Sequence, residues 1–127
     1  MTGFDPGRVS QVVGAALHGP GGVGLVVQVF AGIPGVAHTP AQRGLFSRSP
    51  ERIQIGDWRF EVGGDGRLQA AHVVGGIVIS EQALDSVAVG PHLGRALEQL
   101  LARYGPAAQP HIDAALDVLA TSAQFGP

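Results

Sequence analysis

The sequence predicts an α+β fold, in which helices pack on an antiparallel sheet. Three observations lead to this class: apolar stripes with helical spacing lie at both ends of the chain, the middle carries strand alternation, and a glycine-rich loop joins two apolar runs as in a β-hairpin. We expect an N-terminal helix, a sheet of roughly three to four strands with the hairpin over about 53–62 and 67–79, and two C-terminal helices packed as an αα-hairpin on the sheet. No repeat or change of composition divides the chain, so residues 1–127 are expected to form a single domain.

The absence of lysine, asparagine and cysteine excludes several chemistries. Without lysine the chain has no Schiff-base nucleophile and no phosphate-loop lysine. Without cysteine it has no thiolate nucleophile, disulfide or thiolate metal ligand. The formal net charge of −2 provides no attraction for a nucleic-acid backbone, so no nucleic-acid partner is expected. No cofactor is predicted either, because no remaining motif is diagnostic of one.

The low content of charged residues also suggests that the protein associates with other chains through apolar surface. Hydrophobic residues make up 45% of the sequence and charged residues 14%, a balance that favours exposed apolar patches. We therefore expect a homo-oligomer, most simply a dimer, or a protein partner. The N-terminal residues lack the features of a signal peptide, and the longest apolar run is about half the length of a membrane span, so a cytoplasmic protein without a membrane span is expected. The richness in Ala, Gly and Arg is typical of a GC-rich genome of the actinobacterial type.

The first part of the chain contains one helix signal and one strand signal. Asp5 and Pro6 suit an N-cap and a first helical position, and apolar residues then recur on one helical face, which predicts a helix over about 6–18. Residues 23–31 are rich in β-branched residues and apolar on both faces. This pattern predicts a central strand that is covered on both sides.

Residues 32–52 lose all regular pattern and are expected to form a long loop within the domain. A loop of this length is uncommon in a compact domain, so it is functional, mobile, or conceals a short strand near 35–39. Its three arginines, with two serines between them, could bind an anionic group or accept phosphorylation, but the favoured interpretation is that they keep the loop solvated. These residues are Arg43, Ser47, Arg48, Ser49 and Arg52.

The alternation of residues 57–62 predicts a half-buried strand, and the glycine-rich loop after it sets the register of a hairpin. A two-residue turn would place polar side chains on the apolar face of the partner strand. A three-residue loop with Gly66 in the left-handed conformation and a bulge shifts the pairing by one residue and keeps apolar residues together. The expected pairs are Val62 with Leu68, Phe60 with Ala70, and Trp58 with His72.

The end of this second strand, residues 73–79, is apolar on both faces and must be covered by another element or a second subunit. Within it, Gly75-Gly76 predicts a bulge or a close approach of another backbone or a ligand. Ser80 is then expected to cap a short helix over about 81–88. The neighbouring apolar residues make this strand a candidate interface, which consists of Val73, Ile77, Val78 and Ile79.

Two helices are expected to complete the chain. The first opens at Gly90-Pro91, carries an apolar stripe as far as Tyr104 and ends at Gly105-Pro106. The second begins at Gln109-Pro110. Each opening proline is followed by a histidine, so His92 and His111 are predicted to lie in the first turn of a helix. Asp113 and Asp117 share one face of the last helix and are expected to face water.

His72 is the sharpest candidate for chemistry, because the predicted register points it inward beside the only tryptophan of the chain. It could act as an acid/base group or a ligand, although a core histidine satisfied by a hydrogen bond is the commoner outcome. No catalytic residue is otherwise predicted, since no Ser lies in a GxSxG motif. A small apolar pocket would be lined by Trp58, Phe60, His72, Val74 and Leu97. A metal site would draw on His72, Asp85 and His92, and no ligand spacing ties those three together.

Residues 19–24 spell the GxGxxG pattern of dinucleotide-binding loops. That motif requires a strand before the glycines and a helix after them, and the predicted order here is the reverse. We therefore interpret it as a plain helix-to-strand turn.

The leading functional hypothesis is a non-catalytic domain that self-associates or binds a protein partner through the apolar 73–79 strand and its neighbouring helix. The alternative is a small hydrophobic-ligand-binding protein with a pocket between sheet and helices around Trp58 and His72. Such a pocket could be enzymatic with His72 as the acid/base group, or it could hold a metal.

Overall fold

The computed structural model describes residues 4–19, 22–43, 48–63 and 66–124. Within these ranges the chain has the predicted α+β class, with helices at both ends and strands between them. The elements in chain order are α1 (Pro6–Leu17), α2 (Gly22–Ala31), β1 (Ala37–Thr39), β2 (Gln42–Arg43), β3 (Arg48–Ser49), β4 (Arg52–Ile55), β5 (Trp58–Val62), β6 (Leu68–Val74), β7 (Ile77–Leu84), α3 (Ser86–Tyr104), a 3-10 turn (Pro106–Ala108) and α4 (Gln109–Gln124).

The described strands form a five-stranded antiparallel sheet in the order β1-β4-β5-β6-β7 and a separate two-stranded ribbon, β2-β3. The main sheet has one strand more than the largest number expected. The additional strand, β1, lies close to the position where a short strand within residues 32–52 was expected. That region is therefore not one long loop, because three short strands divide it.

The hairpin of β5 and β6 has the predicted register in full. Trp58 pairs with His72, Phe60 with Ala70 and Val62 with Leu68. Gly66 has a φ of 81°, the left-handed conformation that the three-residue loop requires. The sequence sufficed here because only this register keeps the apolar side chains on one face.

The strand predicted over 67–79 is in fact two strands joined by a tight turn. Gly75 and Gly76 have φ of 60° and 81°, and Val74 pairs with Ile77 across them. Two consecutive positive φ angles are typical of the two-residue turn that closes a hairpin, so this glycine pair is a turn and not a bulge within one strand. The bulge lies within β7, where the pairs His72–Ser80 and Val73–Val78 leave Ile79 as the extra residue.

The short helix predicted over 81–88 was wrong, because β7 continues to Leu84, which pairs with Leu68. Asp85 then caps α3, and its carboxylate accepts a hydrogen bond of 3.0 Å from the Ala88 backbone N–H. Helix α3 therefore begins before Gly90, and Pro91 lies inside it rather than at its first position. The end of the helix is as predicted, since the Gly105 N–H donates to the Leu101 carbonyl at 2.7 Å.

The strand predicted over 23–31 was also wrong, because this segment is helix α2. Val26, Val27 and Phe30 are its buried residues, and Gln28 is exposed. Positions i, i+1 and i+4 share one face of a helix, whereas a strand would place Val26, Gln28 and Phe30 together. A short run that is apolar on all sides suits either element, and in this protein the packing decides for the helix.

The helices form two layers on one side of the sheet. Helices α2 and α3 contact the sheet, and α1 packs against α2, α3 and α4. The core cluster joins the inward residues of β4 and β5, such as Ile53, Ile55 and Phe60, with the apolar faces of the helices. Arg8 connects α1 to α4, because its guanidinium lies 2.7 Å from Asp117 and 3.5 Å from Asp113. The acidic pair of α4 therefore faces α1 rather than water alone.

Two glycines of α3, one turn apart, face α1, and the closer contact is at Gly90. A Cβ atom built at Gly90 would lie 2.8 Å from Ser10 Cα and 2.9 Å from the Ser10 carbonyl oxygen. At Gly94 the nearest atom to such a Cβ is the Pro6 carbonyl oxygen, at 3.4 Å. Gly90 thus marks the point where the two helix backbones come closest. None of the helices in the described ranges is long and apolar enough to cross a membrane.

Candidate functional site

The tip of the β6–β7 hairpin exposes a group of large apolar side chains, here called the hairpin tip. It lies at the free edge of the sheet, because among the described strands β7 is paired on one side only, with β6. All residues of β7 except Leu84 are exposed. The hairpin tip consists of Val74 (45% exposed), Ile77 (69%), Val78 (39%) and Ile79 (62%).

Three of the four residues predicted as an interface thus lie in the hairpin tip, and Val73 does not. Val73 is only 8% exposed, and its backbone N–H donates to the Asp57 carbonyl at 2.7 Å. Val74, which was assigned to the ligand pocket, takes its place on the surface. The two-residue turn explains the exchange, because it ends β6 at Val74 and separates the apolar run from any covering helix.

On the sheet face opposite the helices, an ion pair connects β7 to β5, in addition to the backbone hydrogen bonds between β7 and β6. Ala71 pairs with Arg59 on one side and with Glu81 on the other. The Arg59 guanidinium reaches across to Glu81 at 3.8 Å and also lies 3.8 Å from Glu61. Ala71, which is 4% exposed, lies between Arg59 and Glu81. Glu81 is therefore directed toward its own sheet rather than outward.

On the helix-facing side, beneath β7, lies a group of aromatic rings and imidazoles, here called the histidine cluster: Trp58, Phe60, His72 and His92. The ring of His72 stacks on Trp58 with a centroid distance of 4.8 Å and an interplanar angle of 18°. His92 meets Trp58 edge-on at 4.4 Å and Phe60 edge-on at 5.6 Å. Trp58 is thus in contact with two imidazoles, one from the sheet and one from α3.

His92 is the buried member of the histidine cluster, being 6% exposed. Its Nε2 lies 3.3 Å from Nε2 of Gln82 on β7. Its Nδ1 is buried and has no hydrogen-bond partner among the described residues. Burial lowers the pKa of His92 below its ordinary value, and the positive charge of Arg95 lowers that pKa further. His92 is therefore a neutral imidazole at neutral pH, with one ring nitrogen unsatisfied.

The sequence interpretation placed His92 in the first turn of a helix, and it lies in the second turn of α3. A signal for its burial was present, because Val89 precedes it by three residues and Ala96 follows it by four, on the same face of the helix. That signal was hidden when the helix was taken to begin at Gly90. His72, by contrast, is half-buried, and its stacking on Trp58 follows from the predicted register.

The lowered pKa of His92 predicts a loss of stability in acid. As pH falls below about 6.5, the unfolded chain binds a proton at this residue before the folded chain does, so the free energy of unfolding decreases until pH passes the folded pKa. Urea unfolding at about pH 7.5 and about pH 5.5 measures this decrease. In His92→Leu the decrease should be smaller, and stability at neutral pH should change by less than about 1 kcal/mol or rise, because an unsatisfied buried nitrogen is removed.

His111→Gln provides the matched control, because His111 is exposed on α4 and does not belong to the histidine cluster. It should keep the wild-type difference between the two pH values. An equal pH dependence in wild type and His92→Leu would show that His92 does not carry the effect.

The residues predicted to line a ligand pocket are not gathered around one cavity. Phe60 and Leu97 are fully buried in the core, while Val74 lies in the exposed hairpin tip. Only Trp58 and His72 lie side by side at partial exposure. The surface clefts that the described residues form elsewhere include one of about 410 Å³ beside Tyr104 and His111 and one of about 370 Å³ beside Asp57 and Arg103.

The three residues considered for a metal are likewise in different settings. His72 and His92 each contact Trp58, one stacked and one edge-on, and Asp85 caps α3. Among the described residues, no group of three or more His, Asp or Glu is placed to hold a metal ion.

The GxGxxG pattern at residues 19–24 begins after α1 and ends inside α2, so a helix and not a strand precedes it. The turn that was expected to lead into a strand leads into a helix. Its residues 20 and 21 are outside the described ranges.

Comparison with known proteins gives a family and no functional precedent. No curated protein and no solved structure matches the chain. Residues 1–121 match the family described as a domain of unknown function, DUF5073. Since this match spans nearly the whole chain, the protein belongs to the DUF5073 family.

Proposed function

We propose that this protein is a non-catalytic module that forms a homodimer through β7 and the hairpin tip. The observation that carries the proposal is an eight-residue edge strand that exposes three large apolar side chains at its first residues, beside the exposed Val74 at the end of β6. An exposed edge offers unpaired backbone N–H and C=O groups to another strand, and the apolar tip supplies the hydrophobic term.

A second copy of the chain is the occupant that the strand itself matches. Antiparallel pairing about a two-fold axis at Val78 sets this residue against Val78 of the partner subunit. The same axis sets Ile77 beside Ile79 of the partner subunit, because the positions are symmetric about 78. The three most apolar residues of the strand thereby cover one another, without any other protein.

Charge does not oppose this pairing. Glu81 is the only charged residue of β7, and in this register it lies opposite Gly75 of the partner subunit rather than near a second carboxylate. It is already directed to Arg59 within its own sheet.

The bulge at Ile79 limits the association to a small, closed contact. Bulges bend an edge strand and interrupt its ladder, and they are one means by which proteins prevent open-ended sheet growth. The paired segment is short, so the interface falls below the standard size of stable complexes and a reversible dimer is expected.

Light scattering coupled to size-exclusion chromatography tests the proposal at protein concentrations from about 1 to about 100 µM, the range in which weak dimers dissociate. The wild type should shift from monomer to dimer as concentration rises. Val78→Glu should stay monomeric, because two carboxylates would face each other at the symmetry axis. Val118→Glu is the matched control, since Val118 is 51% exposed on α4, away from the sheet, and it should dimerise as the wild type does. A wild-type monomer at every concentration, or a dimer unaffected by Val78→Glu, would refute the proposal.

A second candidate function, small-ligand binding at the histidine cluster, is favoured by one observation: the buried Nδ1 of His92 has no partner, so a bound donor or acceptor would satisfy it. Trp58 reports on this site. Its fluorescence should shift on titration with small apolar molecules that carry one polar group, and His92→Leu should abolish the shift. No change with any compound would exclude this function.

A further inference from the structure

The edge strand that would form the dimer is connected to the helix layer through a titratable side chain. Gln82 lies on β7 and pairs with Ala70, and its amide nitrogen lies 3.3 Å from Nε2 of His92 on α3. Both ring contacts of His92 are to residues of β5, Trp58 and Phe60. From α3, the side chain of His92 thus contacts both the central strand β5 and the edge strand β7.

The chemistry of this contact depends on the proton. A neutral imidazole has one nitrogen that accepts and one that donates, so Nε2 can accept from the Gln82 amide. An imidazolium has two donors and no acceptor. In the neutral tautomer that accepts at Nε2, Nδ1 already carries its N–H, which no described residue accepts. Protonation adds the second N–H at Nε2, so it removes the bond that Gln82 donates and turns two N–H donors toward each other. The charged ring would have to leave its packing to reach water.

The charged groups around His92 do not compensate for this cost. Arg95 on the same helix adds positive charge, and the ring of His72 stacks on Trp58. The carboxylates of Glu61 and Glu81 are on the opposite face of the sheet, directed to Arg59. The carboxylate of Asp85, at the start of α3, accepts from the Ala88 backbone.

We propose that protonation of His92 releases Gln82, loosens β7 and dissociates the dimer, so that self-association is strong at neutral pH and weak in acid. This inference rests on the proposed function. Its structural basis is that, within the part of the chain that the structure describes, β7 has one neighbouring strand and runs into α3 through a single residue, Asp85. Movement of His92 within α3 is therefore transmitted directly to the strand that pairs.

Sedimentation velocity at about pH 7.5 and about pH 5.5, on either side of the ordinary histidine pKa, tests the proposal. The dimer dissociation constant of the wild type should rise by about tenfold or more at the lower pH, the effect of one pKa unit of coupling. His92→Leu should dimerise equally at both pH values. The control His111→Gln, altered at an exposed histidine, should respond as the wild type does.

A second variant guards against a misfolded His92→Leu. Gln82→Ala removes the contact from the strand side, at an exposed position, and should reduce most of the pH response. A wild-type dimer with the same dissociation constant at both pH values would overturn this inference while leaving the proposed dimer intact. A protein that is monomeric at both would overturn both proposals.

Discussion

Replacing Phe30 with alanine should lower the free energy of unfolding by about 3–5 kcal/mol, the usual cost of truncating a buried phenylalanine. Phe30 is fully buried, and α2 packs between β4, β5 and α4. The loss combines the transfer free energy of the ring with the cavity that remains where three elements meet. A loss of this size is a large part of the total stability of a domain, typically about 5–15 kcal/mol.

The Phe30→Ala experiment requires urea or thermal unfolding and a control that removes a comparable apolar side chain from the surface. Val87→Ala is suitable, because Val87 is 82% exposed on α3, and it should change stability by less than about 0.5 kcal/mol. A small effect of Phe30→Ala would contradict the placement of α2 in the core.

Replacing Gly90 with alanine should lower the free energy of unfolding by about 1–3 kcal/mol, the cost of overpacking. An added methyl group meets the backbone of Ser10 at 2.8–2.9 Å, and backbone atoms cannot rotate away as the end of a side chain can. The substitution would otherwise stabilise a helix by about 1 kcal/mol, so a loss shows that the contact outweighs the intrinsic preference.

Gly94→Ala is the matched control, because it adds the same group to the same helix one turn later. Its nearest neighbour, the Pro6 carbonyl oxygen at 3.4 Å, is at ordinary contact distance. We expect stability to stay within about 0.5 kcal/mol of wild type or to rise. Equal effects of the two substitutions in thermal unfolding would contradict the close crossing of α1 and α3 at Gly90.

The sequence predicted the β5–β6 hairpin in detail because local constraints determine it. Trp58, Phe60 and Val62 alternate with charged residues, and the glycine-rich loop allows one register that keeps the apolar face intact. The same reasoning placed His72 beside Trp58. The start of α1 was also predicted correctly. The Asp5 carboxylate caps the helix by accepting a hydrogen bond of 2.9 Å from the Gly7 N–H, and Pro6 follows it.

The sequence did not predict which secondary structure two apolar runs adopt, or where a strand within them ends. Residues 22–31 and 73–79 are apolar on all sides, so neither carries the alternation that separates helix from strand or marks the end of a strand. In the second run the Gly75-Gly76 turn was interpreted as a bulge, and β7 was consequently assigned in part to a helix. The start of α3 was consequently predicted at Gly90 instead of Ser86, and the burial of His92 was not predicted.

What the sequence by itself determined is the fold class, the β5–β6 register, the capped first helix and the inward position of His72. The fold class follows from the order of such patterns along the chain, and each of the other features follows from periodicity or turn geometry in a short segment. Only the tertiary structure decided that residues 22–31 are a helix, that the apolar 73–79 segment ends in an exposed hairpin tip, and that His92 is buried against Trp58 beneath β7. These features depend on which distant surface covers a segment, and an apolar residue does not by itself specify what will cover it.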